Sequence, residues 1–131
     1  MLNSNAINKD LGLLVLRVCA GGLMALQHGW PKLSAFSERM DSFPDPLGIG
    51  SLASLILVVF SEFLCAVLIT LGLFTRAASI PLIITMGVAA FVVHGPDPMG
   101  KKELSLIYLC MYLCILFTGA GKYAINRVSF R

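Results

Sequence analysis

Four apolar runs, each close to the length that crosses a lipid bilayer, dominate the chain. They cover residues 11–33, 51–74, 77–93 and 104–121. A membrane-spanning α-helix needs about 20 mostly apolar residues. None of the runs alternates polar and apolar residues as the strands of a membrane β-barrel do. The pattern therefore predicts an all-α integral membrane protein, a four-helix bundle that forms one transmembrane domain over residues 1–131.

The composition agrees with a chain that contacts the lipid bilayer. Hydrophobic residues make up 57% of the sequence and charged residues only 13%, whereas an ordinary soluble domain is about 25% charged. Lysine and arginine lie at the ends of the apolar runs, as headgroup anchors do, so no nucleic-acid partner is expected. The first run is longer than the apolar core of a signal peptide and contains Arg17, which favours a retained helix.

The connections after the first and third runs resemble each other. Both open with His-Gly, at His28 and His94, and both contain Asp-Pro-apolar-Gly, at residues 45–48 and 97–100. One explanation is a duplicated helical hairpin, with its two copies related by an axis near the membrane normal. The other is that glycine, proline and aspartate simply favour loops.

Arg17 and Glu62 are the two charged residues within the apolar runs that demand an explanation. A charge near the bilayer centre costs about 2.5–3.5 kcal/mol on insertion scales. By helical rise, Arg17 is expected about 9 Å and Glu62 about 18 Å from the same interface. We expect the two side chains to pair, directly or through a bridging water or ligand. The alternative is that Arg17 extends to the nearby interface without a partner.

Helical periodicity adds two expectations about these helices. Glu62 should face the bundle interior together with Ser51, Leu55, Cys65 and Ile69. Arg17 and His28 are predicted to share one stripe of the first helix, beside a face of small residues, Gly21, Ala25 and Gly29, that suits close helix packing.

Polar residues near the opposite interface form the rest of the candidate site. These are His28, Lys32, His94 and Glu103, with Tyr108 and Tyr112 on a separate stripe of the fourth run. Because histidine titrates near neutral pH, a proton-handling or anion-binding pocket is favoured. His28, His94 and Glu103 could ligate a metal, but no two of them have the i, i+4 spacing of helical metal ligands, so no metal is expected. The four cysteines are interpreted as packing residues.

Three segments resemble the DoxX family of small bacterial and archaeal membrane proteins. They are RVCAGGLMALQHGWPKL (17–33), the second run around Glu62 with LGLFTRAAS (71–79), and ELSLIYLCMYLCILFTGAGKY (103–123). The resemblance implies a four-helix bundle in the plasma membrane. It also implies an association, in some members, with quinone-linked oxidation of sulfur compounds or with membrane oxidoreductase complexes.

Two functions follow from these residues. In the first, the protein is a membrane subunit of a redox system and binds a quinone-like ligand between its helices. Arg17, Glu62 and His28 would then act on the ligand or relay protons, while Lys32, His94, Glu103, Tyr108 and Tyr112 would bind it, and partner oxidoreductase subunits are expected. In the second, it is a non-catalytic scaffold or assembly factor. The small size of the bundle favours a scaffold or an oligomer, and a small-solute transporter is the third alternative.

Both termini are predicted to be cytoplasmic. Four spans place them on one side of the membrane, and that side carries slightly more basic residues outside the spans. The predicted cytoplasmic set is Lys9, Arg76, Lys122, Arg127 and Arg131, against Lys32, Arg39, Lys101 and Lys102 on the other side.

Overall fold

A computed structural model describes residues 7–125, which form helices joined by short connections, with no β-strand in that range. Three helices are long and apolar enough to cross a membrane by length and composition: α1 (Lys9–Ser34), α3 (Ser51–Leu71) and α4 (Thr75–Val93). Two further helices are described: α2 (Phe36–Arg39), which has 4 residues, and α5 (Met99–Thr118), which has 20. The all-α prediction is confirmed for the described residues. That α5 also crosses the membrane remains a prediction.

Local sequence signals define the helix ends. The side chain of Asn8 accepts a hydrogen bond from the Leu11 amide and caps α1. Gly72, in the left-handed conformation at φ 78°, ends α3, and the Leu73 amide closes that end on the Leu68 carbonyl at 2.8 Å. Glycine supplies this conformation without a steric penalty. The turn is short because α4 begins only three residues after Gly72, at Thr75.

Helices α1 and α3 pack closely because glycines replace side chains at their contact, as the small-residue face predicts. A Cβ atom on Gly21 would lie 2.6 Å from the Ala66 carbonyl oxygen. One on Gly29 would lie 2.7 Å from the Cα atom of Phe63. These contacts fix the register of the two antiparallel helices, with residue 21 beside residues 66–70 and residue 29 beside residues 62–63.

Helix α5 packs against α1 and α4 through its tyrosine stripe. The Tyr112 hydroxyl donates a hydrogen bond to the Ala20 carbonyl at 2.9 Å, and both Tyr108 and Tyr112 are buried. Its other stripe faces outward, with Glu103, Ile107, Cys110 and Cys114 all exposed. Of the four cysteines, only Cys65 is buried, so the packing role predicted for all of them holds within the core only for Cys65.

The two ends of the described chain meet at one end of the bundle. The Lys122 amide donates to the Asp10 carboxylate at 2.9 Å, and the Ile125 amide donates to the Leu71 carbonyl at 3.3 Å. The segment after α5 therefore lies across the first turns of α1 and the end of α3.

Candidate intramembrane binding site

The central feature of the site is an ion pair between Lys32 and Glu62. The Lys32 ammonium donates to both carboxylate oxygens, at 2.8 Å to Oε1 and 3.1 Å to Oε2. The Glu62 side chain is only 5% exposed and that of Lys32 is 20% exposed. Gly29 allows this pair to form, because its lack of a side chain lets the last turns of α1 approach the Glu62 backbone.

The predicted pairing of Arg17 with Glu62 is wrong. Nη2 of Arg17 donates instead to the Tyr123 carbonyl at 2.6 Å, and Nε and Nη1 have no hydrogen-bond partner among residues 7–125. The helix register explains the error: Arg17 lies beside Gly72, whereas Glu62 lies beside Gly29. The two levels are about 12 residues apart along α1, or about 18 Å, which no arginine side chain can span.

Arg17 is nevertheless buried, with 1% of its surface exposed. It lies where α3 ends at Leu71 and beside the segment that follows the end of α5. Carbonyl groups at helix C-termini carry partial negative charge and favour a cation. The contacts of Arg17 therefore indicate a role in joining the chain ends, away from the Lys32–Glu62 pair.

The predicted inward orientation of Glu62 is confirmed. Leu55 and Ile69 are fully buried, Cys65 is 2% exposed and Glu62 is 4% exposed, so one face of α3 points inward. Ser51, at the first position of the helix, is only partly buried.

An aromatic row extends from the ion pair toward the middle of the bundle. The His28 and Tyr108 rings form a T-shaped pair at a centroid distance of 5.7 Å, and Tyr108 stacks on Tyr112 at 6.0 Å. His28, four residues before Lys32, thus lies on the same side of α1 as the lysine. The structure brings together His28, Lys32, Glu62 and the two tyrosines, all of which the sequence singled out.

A cavity of about 350 Å³ opens beside the ion pair. Its polar lining residues are Lys32, Glu62, Ser54, Thr85 and His94, and the rest of its wall is apolar. A mostly apolar pocket with a few convergent polar groups is the usual form of a small-molecule site. Ser54 and Thr85 were missed from the sequence, because single hydroxyl residues within apolar runs carry no distinctive signal.

His94 and Glu103 have different places relative to this cavity. His94 lines the cavity, and its Nδ1 is 2.9 Å from Oδ2 of Asp97. Glu103 is exposed on the outer stripe of α5 and lines no part of the cavity. Among residues 7–125 there is no cluster of three His, Cys, Asp or Glu side chains that would hold a metal ion.

Distorted helical turns coincide with these residues. The turns at residues 25–29 of α1 and 60–65 of α3 are π-helical, and they carry His28 and Glu62. A third, at residues 89–93 of α4, ends immediately before His94, and a fourth, at residues 18–22 of α1, carries no residue of the site. Wider turns of this kind are rare and occur frequently at functional sites.

Comparison with known proteins supports the family resemblance. The sequence profile of the DoxX family matches residues 12–95, which include most of α1, all of α3 and α4, and every residue that lines the cavity. An uncharacterized protein of Haemophilus influenzae is 30% identical over 128 residues, which cover 91% of this chain and 91% of the relative. No solved structure matches the chain.

Proposed function

The chain belongs to the DoxX family, and we propose that it is a membrane subunit of a redox system that binds a quinone-like ligand in the cavity beside Lys32 and Glu62. The observation that carries this proposal is a buried ion pair in the wall of a mostly apolar cavity. Ionisable residues within membrane helices are costly and are functional candidates by default.

The two partners of the ion pair offer complementary chemistry to such a ligand. The ammonium of Lys32 has three donors and would hydrogen-bond a quinone carbonyl oxygen, while the carboxylate of Glu62 would accept a hydrogen bond from a hydroquinone hydroxyl. The rings of His28 and Tyr108 pack together at a centroid distance of 5.7 Å and line no part of the cavity, so the ligand head would contact Lys32 and Glu62 and not these rings.

A binding measurement tests the proposal. Trp30 is the sole tryptophan of the chain and lies two residues before Lys32, so its fluorescence should be quenched when a short-tailed benzoquinone binds the protein in lipid nanodiscs. We expect Glu62→Gln and Lys32→Met to weaken binding by at least about tenfold, the equivalent of about 1.4 kcal/mol.

Glu103→Gln is the matched control, because it makes the same chemical change on the outer face of α5. Unchanged affinity in both site variants, or equal losses in the control, would contradict the proposal. A wild-type protein that shows no saturable quenching but retains a stable partner protein through purification would favour the scaffold function.

We propose further that the protein lies in the plasma membrane with both termini in the cytoplasm. The support is the thin excess of basic residues near the chain ends, together with the contact between Asp10 and Lys122 that brings those ends to one side. In a cysteine-free background, an impermeant thiol reagent applied to cells should label Ser37→Cys and spare Asn8→Cys. The reverse labelling would overturn this orientation.

A further inference from the structure

The cavity lies beside α3 and α4, which supply most of its lining. The two helices are joined at one end by the short turn at residues 72–74 and again by the hydrogen bond between Ser61 and Thr85, at 2.8 Å. Beyond Thr85, residues of both helices line the same cavity. Helix α1 contributes only Lys32 to the lining, and α5 contributes none.

One side of the cavity faces outward, where a membrane helix meets lipid. Leu57 of α3 and Ile84 of α4 both line the cavity, yet they are 55% and 60% exposed. At the inner end, Glu62 and Met86 are only 4% and 5% exposed. We call the gap flanked by Leu57 and Ile84 the portal.

The loop before α3 forms another part of the cavity wall. Phe43, Pro44, Pro46, Leu47 and Ile49 line the cavity from this loop. Asp45 fixes the loop, since its carboxylate accepts hydrogen bonds from the Ile49 and Gly50 amides at 2.9 and 2.8 Å and from the Ser54 hydroxyl at 2.9 Å. This loop, which we call the roof, contributes only apolar residues to the lining, of which Leu47 and Ile49 are 57% and 46% exposed, and it is anchored to the first turn of α3.

The size of the cavity limits what it encloses. At about 350 Å³, it lies near the lower end of the range of about 300–1,000 Å³ that small-molecule sites occupy. It has room for a ring-sized head at Lys32 and Glu62, but a long hydrocarbon chain attached to that head would have to leave the cavity. The portal is the exit that lies between two membrane-spanning helices, where a hydrocarbon chain would meet lipid.

We infer that the ligand is a lipid-dissolved molecule with a long hydrocarbon tail, which enters from the bilayer and leaves its tail in the portal between Leu57 and Ile84. The inference rests on the proposed function for the identity of the head, and it adds the class of the tail and the route of entry. A water-soluble ligand would need a route through the anchored roof instead.

The test compares two radiolabelled benzoquinones with the same head, one tailless and one with a long alkyl tail, for equilibrium binding to the full chain in nanodiscs. Leu57→Trp and Ile84→Trp fill the portal and should weaken binding of the tailed probe by at least about tenfold, while the tailless probe binds as it does to the wild type. Leu64→Trp and Ile80→Trp are matched controls, because those residues are exposed on the same helices but do not line the cavity.

Each outcome decides between the alternatives. Equal weakening of both probes in the portal variants, or weakening of the tailed probe in the controls, would overturn the placement of the tail. If the wild type binds neither probe, the proposed function itself is wrong. If the wild type binds the tailless probe and the portal variants bind the tailed probe unimpaired, only the portal is wrong.

A measurement on the wild type guards against variants that fail to fold. A tailed quinone that carries a diazirine midway along its tail should, after illumination, modify peptides that contain Leu57 or Ile84. Adducts concentrated in the loop at residues 43–49 would instead indicate entry from the aqueous side and would overturn the inference.

Discussion

At the scale of single residues, the site depends on a charge that is tolerated only because its partner lies opposite. A carboxylate that is 5% exposed, as in Glu62, is costly unless it is paired and hydrogen-bonded. Lys32 supplies both conditions with two hydrogen bonds from one ammonium. Lysine suits this position because its long apolar stem spans the end of α1 while its charged head stays partly in contact with polar surroundings.

The first prediction is that Lys32 and Glu62 are energetically coupled. Lys32→Met should cost about 1–3 kcal/mol by leaving a buried carboxylate unpaired, and Glu62→Gln a similar amount or less. The double variant should be less destabilised than the sum, with a coupling of at least about 0.5 kcal/mol. The free energy of unfolding in mixed micelles measures all four corners of the cycle.

The same cycle with Arg17 in place of Lys32 is the control. Since Arg17 and Glu62 occupy levels about 18 Å apart on the shared register, Arg17→Leu and Glu62→Gln should act additively, within about 0.5 kcal/mol. Coupling between Arg17 and Glu62, with none between Lys32 and Glu62, would mean that Glu62 pairs with Arg17, as the sequence predicted, and not with Lys32.

At the scale of helices, the contact of α1 with α3 sets the level of every charged side chain. Two adjacent glycines show how local this contact is. A Cβ on Gly21 would meet the Ala66 carbonyl oxygen at 2.6 Å and also the Thr70 hydroxyl, whereas one on Gly22 would meet nothing within 4 Å. Close approach therefore requires glycine at position 21 and not at position 22.

The second prediction follows from this pair of glycines. Gly21→Ala should destabilise the protein by about 1–3 kcal/mol, because a backbone carbonyl cannot move aside without shifting the helix. Gly22→Ala, its matched control, should be neutral or stabilising by up to about 1 kcal/mol, since alanine favours a helix over glycine. Thermal unfolding of the two variants in the same detergent tests this, and equal effects would contradict the described register.

The third prediction concerns the loop that roofs the cavity. Hydrogen bonds from the Gly50 amide, and further bonds from the Ile49 amide and the Ser54 hydroxyl, hold the pKa of the Asp45 carboxyl below its ordinary value. A lowered pKa in the folded state means that the ionised form stabilises the loop above the ordinary value of about 3.9, and that this contribution is lost as pH falls through the folded-state pKa.

The thermal midpoint should therefore fall as the pH is lowered below the ordinary carboxyl pKa of about 3.9, and Asp45→Asn should flatten that part of the profile. Asp41→Asn changes a neighbouring exposed residue that makes none of these contacts and serves as the control. A wild-type profile that matches that of Asp45→Asn throughout the acidic range would show that the cap does not stabilise the loop.

At the scale of the whole molecule, the sequence predicts the helices well and the pairing of charges poorly. Apolar run length marks α1, α3 and α4, and the glycine spacing marks the face by which α1 packs. Neither signal gives the register between two helices, and a shift of a few turns changes the partner of Glu62 from Arg17 to Lys32. The position of Lys32 at the end of an apolar run indicates a headgroup anchor, because lysines at such positions usually contact lipid headgroups.

The contact between the two chain ends is likewise invisible in the sequence, since it joins residues more than 100 positions apart, such as Arg17 and Tyr123. The carbonyl of Tyr123 satisfies a guanidinium that is otherwise buried without a hydrogen-bond partner in the described chain. Ala124 packs against Gly72, where an added Cβ would lie 2.6 Å from the alanine methyl group. The segment at residues 122–125 therefore completes the environment of Arg17.

The last prediction is that this segment and Arg17 stabilise the fold as a unit. A chain that ends after Gly121 loses the Tyr123 carbonyl and should be destabilised by about 1–3 kcal/mol, the cost of leaving a buried polar group unpaired. A chain that ends after Ile125 is the control, because it keeps the Tyr123 carbonyl, the contact of Ala124 with Gly72 and the hydrogen bond of the Ile125 amide. Arg17→Leu should cost less in the chain that ends at Gly121 than in the full chain, because the cation it removes has already lost its acceptor. Unfolding free energies of these chains, each with and without Arg17→Leu, measure the coupling. Strictly additive losses would mean that Arg17 is stabilised by the ends of the helices alone.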